Sequence, residues 1–499
     1  MKKNLLRITK NTGFLFFFKI FAVFLGFIFN LIAARFLGPH IYGRFMYLFS
    51  IFTILSYLVT LGLENGFVYI IPKYLLNGEN EKTYEIIKLL TYLLFFISLL
   101  ITVFLSLNAK FISEKFLNNS DLSSIFKYSV FLVNILLLKR ILGAIFRAHN
   151  KMKNLIISHF VIFPGVKIVS LIVLFVIGIT RYNIVLSYYI AGVTILIYLG
   201  YNLEKSFKFS KYPIFKKIKE NKKSIKNILF FSIPLLFSGL LHLLMLKTDL
   251  IMIGYFLGEK NVGIYSIAMR TAILGSFFLG SVGMIFAPKI SELFHDNRIK
   301  ELTKIYQALT KWTTYINLIF FSIIVLFSRS IMRIFGDEYI VGATALILIG
   351  IGQFANSAAG SAGEMIVMTG RSKIDFYINL FSMVVNVLLN FLLIPVLGIE
   401  GAAIASLAGF SIANITRVIF VYKVHKILPY NKKFLKIIFP IIIPVIIVYF
   451  LKAFMNFYWV LKLGFLIIVF LLITIALYYF MALSDEDKII LKAVKNKFS

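Results

Sequence analysis

Ala34-Arg35-Phe36-Leu37-Gly38-Pro39-His40-Ile41-Tyr42-Gly43 and Tyr255-Phe256-Leu257-Gly258-Glu259-Lys260-Asn261-Val262-Gly263 carry one pattern: Phe-Leu-Gly, four residues, Gly. The second copy stands 220 residues after the first, Phe256 against Phe36. Each is followed by a long apolar run ending in Pro-Lys, at Pro72-Lys73 and Pro288-Lys289, 216 residues apart. A half-length repeat in an apolar chain predicts a two-lobed membrane transporter.

Composition agrees. Of 499 residues, 60% are hydrophobic, 16% aromatic and 15% charged, against roughly 45–50% apolar and 25% charged in soluble domains; the mean hydropathy is +0.91. Fourteen apolar segments, centred near Val23, Ser56, Phe96, Leu132, Val166, Gly192, Leu240, Phe277, Phe320, Gly352, Val385, Phe410, Val445 and Leu471, are each long enough to cross roughly 30 Å of hydrocarbon as a helix. The fold class expected is an all-α integral membrane protein of about 14 transmembrane helices. Ten-residue alternating segments, the mark of a membrane barrel, are absent. Lys2, Lys3, Arg7 and Lys10 precede the first apolar run as they would in a signal peptide. That run continues to Ala34 and into the first repeat motif, so it reads as a retained first helix.

The net charge of +32 is a topology signal and predicts no nucleic-acid partner, since no RNA- or DNA-binding motif accompanies it. Taking alternate loops, one side collects the N-terminal tail, Lys73, Lys82, Lys88, Arg147, Lys151, Lys153, the run Lys205 to Lys226, and Lys289 to Lys311. It also collects Arg371, Lys373, Lys423 to Lys436, and Lys488, Lys492, Lys495 and Lys497. The other side has Arg35, Arg44, Lys110, Lys115, Arg181, Lys260, Arg329, Arg333, Lys452 and Lys462. The positive-inside rule then puts both termini in the cytoplasm of a multi-pass cell-membrane protein, with anionic lipids as partners of the basic loops.

The polar stretch from Glu204 falls where the repeat predicts a join. The domains expected are residues 1–203 (helices 1–6), a basic cytoplasmic linker 204–226, residues 227–425 (helices 7–12), and 426–499, an appended helix pair with a tail. The loop Ile290 to Lys311 sets Leu293, Ile299, Leu302 and Ile305 against His295, Asp296, Arg298, Lys300 and Lys304, which predicts an interfacial amphipathic helix. Glycines and prolines that interrupt the spans suit close packing or kinks.

An ionisable group in a span costs about 2.5–3.5 kcal/mol and normally faces a cavity or a partner. The substrate-site candidates are Lys19, Lys167, Lys247, Arg270 and Arg417; the ion-coupling candidates are Glu64, Asp249 and Glu364. Lys139, Arg140 and Arg417 lie close enough to helix ends to snorkel, whereas Lys19, Lys167 and Arg270 lie deeper. The surplus is cationic, which suits phosphate or acidic sugars. Asn379, Asn386 and Asn390 share one helix face, for interhelical hydrogen bonds or for sugar hydroxyls. Cysteine is absent, and no Walker A, HExxH, GxSxG or paired-histidine pattern occurs, so no catalytic set, metal site or cofactor is expected.

Longer stretches carry a resemblance. Ala34 to Gly43, Leu61-Gly62-Leu63-Glu64-Asn65-Gly66 and Ile71-Pro72-Lys73-Tyr74 are similar to the opening of the polysaccharide biosynthesis flippases. These belong to the multidrug/oligosaccharidyl-lipid/polysaccharide exporter superfamily. Ser232-Ile233-Pro234-Leu235, Thr248-Asp249 and Gly254 to Ser266 resemble its segments seven and eight. Met368-Thr369-Gly370-Arg371, Asn386 to Asn390, Ile394-Pro395 and Gly398 to Ala405 resemble segments ten to twelve.

The resemblance implies two six-helix lobes in a V plus two C-terminal helices. It implies movement of a polyprenyl-(di)phosphate-linked glycan from the cytoplasmic to the outer leaflet by alternating access, with a glycan polymerase or ligase as a further partner, and no enzyme activity. The alternatives within the superfamily are a peptidoglycan lipid-precursor flippase and a cation-coupled multidrug antiporter. A membrane glycosyltransferase or ligase is less favoured, because the first external loop, Arg35 to Arg44, has no acidic residue. Gly38, Gly43, Gly258 and Gly263 are expected to let short external loops turn tightly.

Overall fold

The computed structural model describes residues 2–178, 182–212, 218–431, 434–455 and 458–482. Arg181, the middle of the basic linker and Lys488 to Lys497 lie outside them. Packing divides the chain into two compact units, residues 1–263 and 264–499, and no strand occurs among the described residues.

The first unit contains α1 (Lys2–Val59), α2 (Leu63–Leu76), α3 (Asn80–Leu107), α4 (Ala109–Lys115), α5 (Leu122–Ser129), α6 (Leu132–Ala148) and α7 (Met152–Ile157). A π-helical turn, Ser158–Ile162, leads into α8 (Phe163–Val176), followed by α9 (Asn183–Phe207) and α10 (Ile218–Leu257). Helix α11 (Glu259–Ile273) straddles the division. The second unit continues with α12 (Phe277–His295), α13 (Ile299–Phe335), α14 (Ala343–Ala358), α15 (Ala362–Met368), α16 (Ser372–Leu397), α17 (Ile399–His425), α18 (Phe439–Phe454) and α19 (Trp459–Leu477).

Among the described residues, thirteen helical stretches are long and apolar enough to span a membrane. The first runs 59 residues, Phe18–Leu76, and two expected segments share it on either side of Gly38. That glycine interrupts α1 with φ 71° and ψ 170°. A positive φ is open to glycine at little cost, and Pro39 then begins the next helical stretch, where a missing N–H is harmless. Gly258, φ 78°, ends α10 in the same way. The turn reading therefore holds at Gly38 and Gly258.

At Gly43 and Gly263 the turn reading is corrected. Both glycines lie inside helices, and each meets the other copy of the motif. A Cβ on Gly43 would overlap the Glu259 carbonyl oxygen, and one on Gly263 would overlap the Pro39 carbonyl oxygen. The two repeats cross backbone to backbone.

A second correction concerns residues 290–311. Rather than an interfacial helix, this stretch is the end of α12, a short turn, and the first turns of α13, which runs on to Phe335 with a kink at Phe327. Leu293 and Leu302 are fully buried in a cluster with Phe286, Ile290, Ala362 and Met365, so the amphipathic stripe faces protein. The final pair, α18 and α19, packs on α13. Tyr315 Oη donates to the Thr474 carbonyl at 3.2 Å, and Lys452 Nζ donates to the Leu326 carbonyl at 2.8 Å, beside the non-helical Phe327, φ −128°.

The start of the linker is strapped to the first unit. Tyr84 stacks on Tyr212 at 4.6 Å, His149 lies 4.2 Å from the Phe207 ring, and Lys88 Nζ donates to the Tyr212 carbonyl at 2.6 Å. His149 Nδ1–H donates to the Ile145 carbonyl at 2.8 Å, so Nε2 accepts from the Tyr84 hydroxyl at 2.9 Å. Burial, with the charge of Lys151 adding to it, lowers the His149 pKa from its ordinary value against the opposing backbone bond. The neutral ring therefore stabilises the strap fully above the unfolded pKa of about 6.5, and that contribution is lost as pH falls through the lower folded value. The melting temperature should drop between pH 7 and pH 5, and the drop should be smaller in His149→Phe. Equal slopes in the two proteins would contradict this.

Candidate functional site

Three cations lie on α6 and α8 of the first unit. Lys167 sits one turn into α8 after Pro164 and is 8% exposed. Its ammonium lies 3.8 Å from the Phe29 ring centre, 4.6 Å from Tyr188 and 5.6 Å from Phe163, with the Tyr188 hydroxyl at 3.4 Å. Tyr188 is itself packed by Phe45 at 4.8 Å and Phe49 at 4.9 Å, which fixes the box. The Phe163 ring also carries Lys139, whose ammonium is 3.7 Å from its centre. Arg140, the next residue, reaches Glu64 at 3.4 Å and the Tyr57 ring at 5.1 Å. Aromatic faces hold cations by their quadrupoles. Lys139 and Lys167 thus share one ring, while Arg140 pairs with Glu64.

In the second unit Arg417 is tied down. Its Nε donates to Asp375 Oδ1 at 2.8 Å and its Nη2 to Asn379 Oδ1 at 2.8 Å. Asn379 Nδ2 in turn donates to Asp375 Oδ2 at 2.9 Å, and Asn414 Oδ1 lies 3.4 Å from Arg417 Nη1. Two turns along α16, Asn390 Nδ2 donates to Asn386 Oδ1 at 3.2 Å. The ladder pins α16 to α17, so Asp375→Ala should destabilise by about 1–3 kcal/mol, because the partly buried guanidinium loses its charged acceptor. A double-mutant cycle with Arg417→Ala reads the coupling from denaturation midpoints. Additive losses would contradict the network.

The remaining candidates occupy other elements. Lys19 is half-buried on α1 and Lys247 half-buried on α10, where Asp249 is 2% exposed. Arg270 lies on α11 with Nε 3.4 Å from Ser266 Oγ. Glu364 lies on α15 against Gly283 of α12. The five basic candidates therefore fall on five helices, and Lys167 and Arg417 belong to different units. Beside the crossing of the two motifs stands a cluster that linear reading did not find. Arg44 donates to Glu259 at 2.9 Å and to Asp121 at 3.1 Å, and Asn119 donates to the second Glu259 oxygen at 2.8 Å. Its one signal in the sequence is that Arg44 and Glu259 each follow a motif glycine.

An all-helical, multi-pass chain with a repeat crossing and cations held on aromatic rings within its apolar helices has the make-up of a membrane transporter. Residues 8–294, more than half of the chain, match the family described as polysaccharide biosynthesis protein, and residues 234–392 match the MatE family. The chain belongs to the polysaccharide biosynthesis protein family. It is 24% identical over 400 residues to the capsular polysaccharide biosynthesis protein CapF of Staphylococcus aureus, covering 79% of this chain and 94% of that one. It is 27% identical over 219 residues to the probable low-salt glycan biosynthesis flippase Agl15 of Haloferax volcanii, 44% of this chain and 45% of that one. The fold matches the lipid II flippase MurJ in an inward closed conformation, TM-score 0.74 at 16% identity over 93% of this chain and 99% of that one. It also matches an inward-facing multidrug resistance MATE family transporter, TM-score 0.66 at 15% identity over 81% and 94%.

Proposed function

We propose that this protein is a flippase that moves a lipid-linked oligosaccharide or polysaccharide precursor from the cytoplasmic to the outer leaflet by alternating access. The observation that carries the reading is the pair of ammonium groups that share one aromatic ring inside apolar helices: Lys139 at 3.7 Å and Lys167 at 5.6 Å from the centre of Phe163. Two cations held so close in a membrane span are costly, and an anionic ligand such as a phosphate offsets that cost. Family membership supports the same substrate class, and the relatives CapF and Agl15 are named for capsular polysaccharide and glycan biosynthesis. A carrier of organic cations would instead present acidic groups to its ligand.

In this proposal Lys19, Lys167, Lys247 and Arg270 contact the phosphate and sugars, and segments one and seven bend to switch access. Arg417 positions α16 and α17 through Asp375. Glu64, Asp249 and Glu364 are the candidates for ion coupling. Both termini are cytoplasmic, and the lobes divide at residues 204–226. A glycan polymerase or ligase takes the product at the outer leaflet.

Ligand-induced stabilisation tests the substrate class. A polyprenyl-diphosphate-linked oligosaccharide at 100 times its dissociation constant should stabilise the detergent-solubilised protein by about 2.7 kcal/mol, and lipophilic organic cations should leave the melting temperature unchanged. The reverse ranking would favour an antiporter. Lys19→Ala should weaken the glycan-lipid response, and an unchanged response would remove Lys19 from the site.

A further inference from the structure

Pro234 and Gly239 mark where α10, a helix of 40 residues, can bend. Proline removes a backbone hydrogen bond and glycine adds freedom, and long helices kink at such places. The stretch is gripped on both sides. Before it, a Cβ on Gly62 would overlap the Ser232 carbonyl oxygen, and one on Gly66 would overlap the Ser232 hydroxyl. At its far end, a Cβ on Gly239 would overlap the Tyr57 hydroxyl and lie 2.7 Å from Cζ of that ring.

The two grips differ in kind. Ser232 is fully buried and donates its hydroxyl to the Ile228 carbonyl at 2.7 Å, so the first grip is backbone or a group tied to backbone. The second rests on the Tyr57 side chain near the end of α1, and charge holds that side chain. The Arg140 guanidinium lies 5.1 Å from the Tyr57 ring centre and 3.4 Å from Glu64. Lys139, the neighbouring cation, is engaged on the Phe163 ring at 3.7 Å and leaves Glu64 to Arg140.

Glu64 itself falls between Gly62 and Gly66, the two glycines that seat α10. Carboxylate, guanidinium, ring and helix thus form a chain of contacts from α2 through α6 and α1 to α10. A guanidinium held by a carboxylate and a ring face together keeps its place. On the ring alone, and 26% exposed, its long side chain is free to turn toward water.

We propose that Tyr57 is a positioning residue for the bend of α10, a side-chain latch set by the charge of Glu64 through Arg140. With Glu64 ionised, the hydroxyl sits on Gly239 and the Pro234 stretch stays seated. With that charge cancelled by a bound cation, Arg140 leaves, the ring swings and α10 bends. The inference rests on the flippase reading for its purpose, and it gives one of the three coupling candidates a mechanical route to segment seven.

The absence of cysteine makes the bend directly readable. Leu107→Cys at the end of α3 and Phe237→Cys on α10, both exposed, carry spin labels in the full-length protein in lipid nanodiscs, and double electron–electron resonance gives their separation. The wild-type background should show one main distance. Glu64→Gln and Tyr57→Leu should each raise a second distance at least tenfold in population, and the double variant should match the single ones because both act on one latch. Arg140→Lys, which keeps a cation for both partners, should retain the wild-type distribution, and Arg140→Met should not. Gly239→Ala should lower the melting temperature and Tyr57→Leu should restore it, which reads the contact apart from the motion and survives misfolding of another variant. A merely structural contact would lower melting temperatures and leave the distance unchanged. Unchanged distances in folded Glu64→Gln and Tyr57→Leu, or a shift in one of them alone, would overturn the latch. Glycan-lipid movement by the wild type without any shift in the variants would overturn the latch alone, whereas a shift in the variants with no movement by the wild type would overturn the flippase reading and leave the latch standing.

Discussion

Gly43→Ala and Gly263→Ala should each destabilise the protein by about 3 kcal/mol or prevent its folding, the upper end of what overpacking costs. The added carbon at residue 43 would overlap the Glu259 carbonyl oxygen and lie 2.8 Å from Gly263 N; the one at residue 263 would overlap the Pro39 carbonyl oxygen and lie 2.9 Å from its carbon. A flexible side chain could rotate out of the way. Here the obstacle is backbone on both sides, so two helices must separate, and Arg44 and Glu259 would be pulled from their 2.9 Å contact. The double variant should cost less than the two losses together, because one separation relieves both overlaps. Gly200→Ala on α9, where a Cβ meets nothing within 4 Å, should be neutral or stabilising by up to about 1 kcal/mol. Thermal denaturation in detergent reads all four. Melting of Gly43→Ala or Gly263→Ala alongside wild type would show that the motifs do not cross as described.

Lys167→Met should abolish transport, at least tenfold in initial rate, with little change in stability. Burying the ammonium costs about 2.5–3.5 kcal/mol on insertion scales, and its ring contacts return about 2 kcal/mol when desolvated. Removing both leaves a net change of about 0.5–1.5 kcal/mol. Methionine also fills the space between Phe29 and Tyr188 and makes favourable contacts with aromatic rings. A lysine kept only for structure would show the opposite pattern, with a lost fold and undisturbed specific activity. Comparing melting temperature with transport per folded molecule separates the two.

Much of the architecture was legible because lipid imposes a simple rule: apolar runs of about 20 residues become helices. The turn glycines were legible too, since Gly38 and Gly258 precede new helices. Gly43 and Gly263 were misassigned because a glycine looks the same in a turn and at a helix crossing. Only the partner strand of chain, 220 residues away, decides between them. The stripe around Leu293 and Leu302 was misassigned for a related reason: an amphipathic pattern reports an apolar surface without saying whether lipid or protein provides it. At the candidate site, single charges such as Lys167 stood out against their apolar surroundings. Their partners did not, because Asp375 lies 42 residues from Arg417, and no local signal announces that Lys139 and Lys167 share the Phe163 ring.

Leaflet movement itself tests the central claim most directly. Purified protein is reconstituted into unilamellar vesicles with a polyprenyl-diphosphate-linked oligosaccharide held in the inner leaflet, and exposure of the glycan is followed with an external lectin. The account predicts that protein-containing vesicles expose the glycan far faster than protein-free vesicles, and that Lys167→Met vesicles behave like the protein-free ones. Equal exposure with and without the wild-type protein, across glycans of this class, would contradict it.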